Sequence, residues 1–127
     1  MEIIIYNNLL EYTESKFTDL NVSLPLQSYI TSVLSGIGFV HLDSSVTVAY
    51  AEAKFNYQFE GFQQVGDYIL FIKSNYPDYL KNASREYYDA VAQSAYYRCY
   101  LILNKQWKLY EELADNFPKI IENIRGA

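Results

Sequence analysis

An all-α fold, an antiparallel bundle of four to five helices, is what this sequence predicts. Three observations predict it. The stretch from Asn82 to Phe117 contains neither Gly nor Pro, and it holds the only tryptophan and several of the fourteen tyrosines of the 127-residue chain. Within it Tyr88, Val91, Ala95, Cys99, Ile102, Leu109 and Leu113 fall mostly at spacings of three, four or seven, the signature of one helical face. A second apolar register runs through Val48, Ala51, Phe55, Phe59, Phe62, Val65, Ile69 and Ile72 at the same spacing. Between these long segments the breakers Pro25, Gly36, Gly38 and Pro77 fall at intervals suited to short interhelical turns.

The elements follow in order. Residues 1–6 (MEIIIY) suit a short N-terminal strand, because β-branched residues favour extended backbone, and they also suit the start of a first helix through Leu9, Leu10, Tyr12 and Phe17. Asn21 to Pro25 is a break, since a residue before proline is pushed toward extended conformation. A helix then carries Leu26, Ile30, Val33 and Leu34 on one side until Gly36 and Gly38 end it. Asp43, Ser44 and Ser45 are good N-caps for the next element.

Over residues 46–60 the pattern is two-faced. Ala49, Ala51, Ala53, Phe55, Tyr57 and Phe59 alternate with polar neighbours as in a strand, yet the longer helical register and the Ala, Glu, Gln and Lys content favour helix. Gly61 and Gly66 mark a kink or points of close helix contact. Asn75 to Asp78 is a turn in which Pro77 forbids continuation. The helix from Asn82 bends or breaks near Asn104–Gln106, closes at Asp115-Asn116-Phe117-Pro118, and is followed by a short amphipathic helix from Lys119 to Arg125. No repeat, linker or low-complexity tract divides the chain, so residues 1–127 read as a single helical domain.

Composition narrows the function classes. Half the residues are hydrophobic and a fifth charged, which is a globular balance. A net charge of −5 and a pI near 4.8 argue against duplex nucleic acid or an anionic membrane as partner. The apolar runs fall short of the roughly twenty residues a membrane span needs. Cys99 is the single cysteine, so no internal disulfide forms, and its mid-helix apolar setting reads as a buried, inert thiol. No signal peptide is visible, since Glu2 follows Met1 and the apolar opening is short. A cytoplasmic, reducing location is the expectation.

Catalytic and metal chemistry have little to stand on. His41 is the only histidine and lies in a glycine-bearing loop without a second histidine or cysteine nearby in sequence. The segment 35–38 has two glycines but no following Lys-Ser or Lys-Thr, so it is a turn and not a phosphate cradle. Glu111 and Glu112 are adjacent and point to different sides of a helix, and Glu86 with Asp89 reads as a solvated face. No catalytic residue, metal ligand or cofactor site is expected. Arg98 stands out, a lone guanidinium within AYYRCYLIL, suited either to a carboxylate, phosphate or partner contact or to covering tyrosines with its stem. The tyrosines exceed what a bundle core needs, because each buried hydroxyl requires a partner. Tyr96, Tyr97, Tyr100 and Trp107 are therefore the expected contact residues for a protein partner or a second copy in a homodimer, with Arg98 fixing polarity.

Two resemblances bear on this. Residues 12–30 (YTESKFTDLNVSLPLQSYI) place Pro25, Leu26, Tyr29 and Ile30 as in the ALIX-type Bro domain of ESCRT-associated adaptors. Residues 61–74 and 89–100 resemble that family's later helices, with Ala92 and Gln93 in place but a second Gln and a Glu missing. The family's domain is much longer, and its central segment has no counterpart here. The resemblance implies a non-enzymatic scaffold that receives a partner's helix. SAYYRCYLILN (94–104) is similar to the HEPN group of small helical RNA-cleaving or toxin-associated domains, but Asn104 stands where that group would want a histidine. An acidic immunity protein directed against a basic toxin also fits the size and charge. The expected function is a non-enzymatic helical protein–protein interaction module.

Overall fold

The computed structural model describes residues 23–36, 41–42, 44–76, 78–80 and 85–125. Residues 1–6, and the part of the Bro-like segment before Ser23, lie outside them. Among the described residues there are five helices and no strand: α1 (Leu24–Leu34), α2 (Val46–Asn56), α3 (Phe59–Asn75), α4 (Arg85–Ile102) and α5 (Lys108–Arg125). The all-α bundle is the observed fold, and residues 46–56 are helix.

The caps explain most boundaries. Ser23 accepts the Leu26 N–H on its hydroxyl at 3.2 Å, and Ser45 accepts that of Val48 at 3.2 Å, which satisfies donors that a helix start leaves open. α1 ends where Gly36 turns at a φ of 79°. α4 closes in a Schellman motif: Asn104 N–H reaches the Leu101 carbonyl at 3.0 Å and Lys105 N–H reaches that of Tyr100 at 2.9 Å. Asn104 has a φ of 57°, performing the left-handed task usually given to glycine. The expected interruption at Asn104–Gln106 is thus a full reversal.

Two expectations are corrected. The register from Val48 to Ile72 is not one helix. Tyr57 adopts a φ of 50° and Gln58 is extended, so the chain turns there and not at Gly61 or Gly66. The turn destroys the phase of the stripe: Phe62, Val65, Ile69 and Ile72 are buried, whereas Val48, Ala51 and Phe55 face water. Nor does Pro118 close a helix, because α5 runs through it.

α4 lies at the centre, packed on α3 along one side and on α5 along the other. Its buried residues Tyr88, Val91, Ala92, Ala95, Tyr96, Cys99 and Tyr100 cover about half of its circumference. α5 presents Leu109, Leu113, Phe117, Ile120 and Ile124 to the core in strict helical spacing, each contributing roughly 2 kcal/mol of apolar burial. α1 rests on α3 and α5 through Leu26, Ile30 and Leu34, and α2 rests on α3. Gly66 sets the α3–α4 approach: a Cβ there would lie 2.7 Å from ring atoms of Tyr96, so only glycine lets that ring seat.

Candidate functional site

The tyrosines divide into two populations that the periodicity alone does not separate. Tyr96 is 0% and Tyr100 4% exposed, so these two expected contact residues are core and offer no surface to a partner. The physical reason is the central place of α4, which has covered neighbours on both sides. Tyr97 (42% exposed) and Trp107 (53%) are on the surface, and Arg98 is half-buried.

Arg98 is held from inside the molecule. Its Nε donates to the Tyr50 hydroxyl at 3.4 Å, and its guanidinium lies 5.7 Å from the centroid of the Phe62 ring. The Tyr50 hydroxyl is also in hydrogen-bond contact with Ser94. Among the described residues no carboxylate is paired with Arg98. The arrangement ties α4 to α2 and α3 through a cation over an aromatic face.

Beneath Tyr96 lies a polar junction that sequence reasoning missed. Tyr29 of α1 and Tyr96 of α4 both donate to Oδ1 of Asp67 on α3, at 2.6 and 2.7 Å. Tyr110 of α5 stands beside them, its ring 5.7 Å from that of Tyr29, and its hydroxyl accepts from Gln63 at 3.1 Å. Burial pushes the Asp67 carboxyl up to about 6, against the two hydroxyl donors that favour its charged form. Burial likewise drives the Tyr29 and Tyr96 hydroxyls well above their ordinary range, with the neighbouring Asp67 adding to it. Cys99 is fully buried, its thiol directed at the Phe59 carbonyl and pushed up to about 12 mainly by burial. The signal for Asp67 was its helical spacing from Gln63 and Leu70, which sets a carboxylate at the edge of the α3 core stripe.

A second missed pair joins α3 to α4. Lys73 is buried, donates to Asp89 and to the Arg85 carbonyl, and takes Asp89 out of the solvated face in which the sequence had placed it. Glu112, expected to be one of an idle pair, accepts the Ser23 backbone N–H at 2.8 Å and its hydroxyl at 2.6 Å. It thus anchors the N-terminus of α1 on α5, where a carboxylate suits the positive end of the helix dipole.

Four exposed apolar side chains lie at one end of the bundle, while Tyr76 and Tyr79 are exposed at the α3–α4 turn. Leu24 begins α1, Phe55 lies in the last turn of α2, Tyr57 in the α2–α3 turn and Trp107 in the α4–α5 turn. Ring contacts place the turns together, for Trp107 and Phe59 both pack edge-on against Tyr110, at 5.5 and 5.4 Å. Tyr57 packs on Phe62, the ring beneath Arg98, at 5.9 Å. Phe55 is 91% exposed. Lys54, Lys105 and Lys108, all exposed, lie next to or near Phe55 and Trp107 in the chain. Phe55 and Tyr57 were missed because the unbroken register assigned Phe55 to the core.

His41 is exposed, with its ring 5.9 Å from that of Tyr68. Among the described residues no three His, Cys, Asp or Glu side chains gather as a metal shell, and no helix is long and apolar enough to cross a membrane. No family model matches the chain, and neither a curated protein nor a solved structure matches it.

Proposed function

We propose that this chain is a non-enzymatic helical interaction module that meets a protein partner, or a second copy of itself, through its aromatic end. The observation that carries the reading is the grouping of Leu24, Phe55, Tyr57 and Trp107, all exposed, where helix termini converge. Aromatic residues beside lysine aliphatic stems are the composition of contact surfaces, and a Phe left almost wholly in water is costly unless something covers it. Tyr97 and Arg98 border this end on α4. The Bro-domain resemblance points the same way, toward a scaffold that receives a partner's helix. The RNA-cleaving and immunity-protein readings have no structural observation of their own.

Light scattering after size exclusion, over a concentration series, tests the self-association branch. A dimer that Phe55→Asp and Trp107→Ala each dissociate supports the reading. A dimer indifferent to both variants puts the contact elsewhere and rules out this end. A monomer at every concentration leaves a different protein as the partner.

A further inference from the structure

We propose that Arg98, Lys54 and Tyr50 form a receiving site for one carboxylate of the protein partner, an inference that rests on the contact function proposed for the aromatic end. Two cations from different helices converge on a single tyrosine. The Arg98 Nε of α4 donates to the Tyr50 hydroxyl at 3.4 Å, and the Lys54 Nζ of α2 lies 4.9 Å from the centroid of the Tyr50 ring. The ring attracts each cation, but the two cations repel one another, and an oxyanion between them relieves that repulsion.

The floor of the site is aromatic. Phe62 lies beneath the guanidinium, its centroid 5.7 Å away, and meets the Tyr50 ring edge-on at 6.1 Å. Tyr57 packs on Phe62 at 5.9 Å and is itself exposed, which makes the site continuous with the aromatic end. Ser94 of α4 is in hydrogen-bond contact with the Tyr50 hydroxyl and holds it in place.

Arg98 is thereby oriented. It is half-buried, its Nε is committed to Tyr50, and among the described residues its terminal nitrogens carry no hydrogen bond. Those two nitrogens form the end of a planar fork that matches the two oxygens of a carboxylate. A guanidinium fixed before binding loses less side-chain freedom on pairing than a free surface arginine does. The fitting ligand is a single carboxylate flanked by apolar side chains. A net charge of −5 repels a long acidic tract, while Phe55 and Tyr57 offer apolar contact beside the cations.

The dipeptides acetyl-Glu-Phe-amide and acetyl-Gln-Phe-amide, alike in shape and different in charge, test the site on the full chain. The readout is the Arg98 Nε–H resonance in two-dimensional NMR. The expected result is a saturable shift, with the Glu peptide binding roughly five-fold more tightly than the Gln peptide. Lys54 is exposed, so Lys54→Gln should keep the native spectrum and shrink that preference. Equal affinity for the two peptides, no shift with either, or a preference unchanged in Lys54→Gln would each overturn the carboxylate site. The contact function itself is tested separately, by the response of association to Phe55→Asp and Trp107→Ala. A second set of changes identifies the source of the carboxylate. If Glu2→Gln, Glu11→Gln, Glu14→Gln and Asp19→Asn together move the Arg98 signal with no peptide present, the site belongs to this chain's own N-terminal carboxylates and the proposal of a partner's is overturned. An unmoved signal supports the partner.

Discussion

The Gln93 side-chain amide occupies the place of the N–H that Pro118 lacks. In α5 the Ala114 carbonyl should accept from residue 118, four positions on, but proline has no amide hydrogen. Gln93 of α4 donates to that carbonyl at 2.8 Å. A helix read from sequence as ending at Pro118 continues to Arg125 because its neighbour fills the gap in the hydrogen-bond ladder.

Gln93 and Pro118 are therefore coupled. Gln93→Ala should cost about 1–2 kcal/mol, since it leaves a backbone acceptor without a partner beside the core. In a Pro118→Ala background, where the amide hydrogen is restored, the same change should cost much less. A double-mutant cycle by urea unfolding measures this, and strictly additive costs would refute the coupling.

Gly66 and Gly61 should respond differently to alanine. Alanine is favoured over glycine by about 1 kcal/mol inside a helix, while overpacking costs about 1–3 kcal/mol. At Gly66 the new Cβ meets Tyr96, a buried ring whose hydroxyl is tied to Asp67, so the clash prevails and Gly66→Ala should destabilise. At Gly61 the neighbour is the Ala53 Cβ at 3.1 Å on the peripheral helix α2, a milder approach than at Gly66. Gly61→Ala should be close to neutral, and thermal unfolding of both variants checks the order.

Lys73 and Asp89 should behave as a pair. Removing one partner by Lys73→Met leaves a charge in a largely buried place and should cost about 3–5 kcal/mol. Lys73→Met with Asp89→Leu should return most of that loss. If the double variant is as unstable as the single one in chemical denaturation, the pair is not what sets the cost.

Cys99 should be slow to react. Its buried thiol, pushed up to about 12, offers almost no thiolate at neutral pH. Labelling by a disulfide reagent should follow the rate of opening of the fold and speed up in mild denaturant. Immediate labelling of the native protein would show that the α3–α4 interface is open.

How much was legible follows from where the physics is local. Caps and turns depend on neighbouring residues, so the break at Asn21 to Pro25, the cap at Ser45, the stop at Gly36 and the interruption at Asn104–Gln106 could be read from the chain. The core faces of α4 and α5 repeat at helical spacing, and Tyr88, Cys99, Leu109 and Leu113 are buried as the spacing predicts. What was not legible depends on partners distant in sequence. Pro118 is tolerated because of Gln93, Asp67 is a junction because of Tyr29 and Tyr96, and Glu112 is an anchor because α1 begins beside it. Exposure was half legible among the expected contact residues: Tyr97 and Trp107 are on the surface, whereas Tyr96 and Tyr100 belong to a helix enclosed on two sides. Phe55 was hidden by a periodicity that continues across a turn at Tyr57, where a left-handed residue that is not glycine leaves no sequence signature.

Site-specific photo-crosslinking tests the central claim most directly. A photoreactive phenylalanine analogue is placed at position 107 at the aromatic end, or at exposed position 122 toward the other end of α5. Each full-length protein is irradiated at high concentration and in its native cell extract. The account predicts a discrete protein adduct, with a second copy or with another chain, from position 107 and not from 122. Adducts from 122 alone, or equal adducts from both, would contradict an aromatic end built for contact.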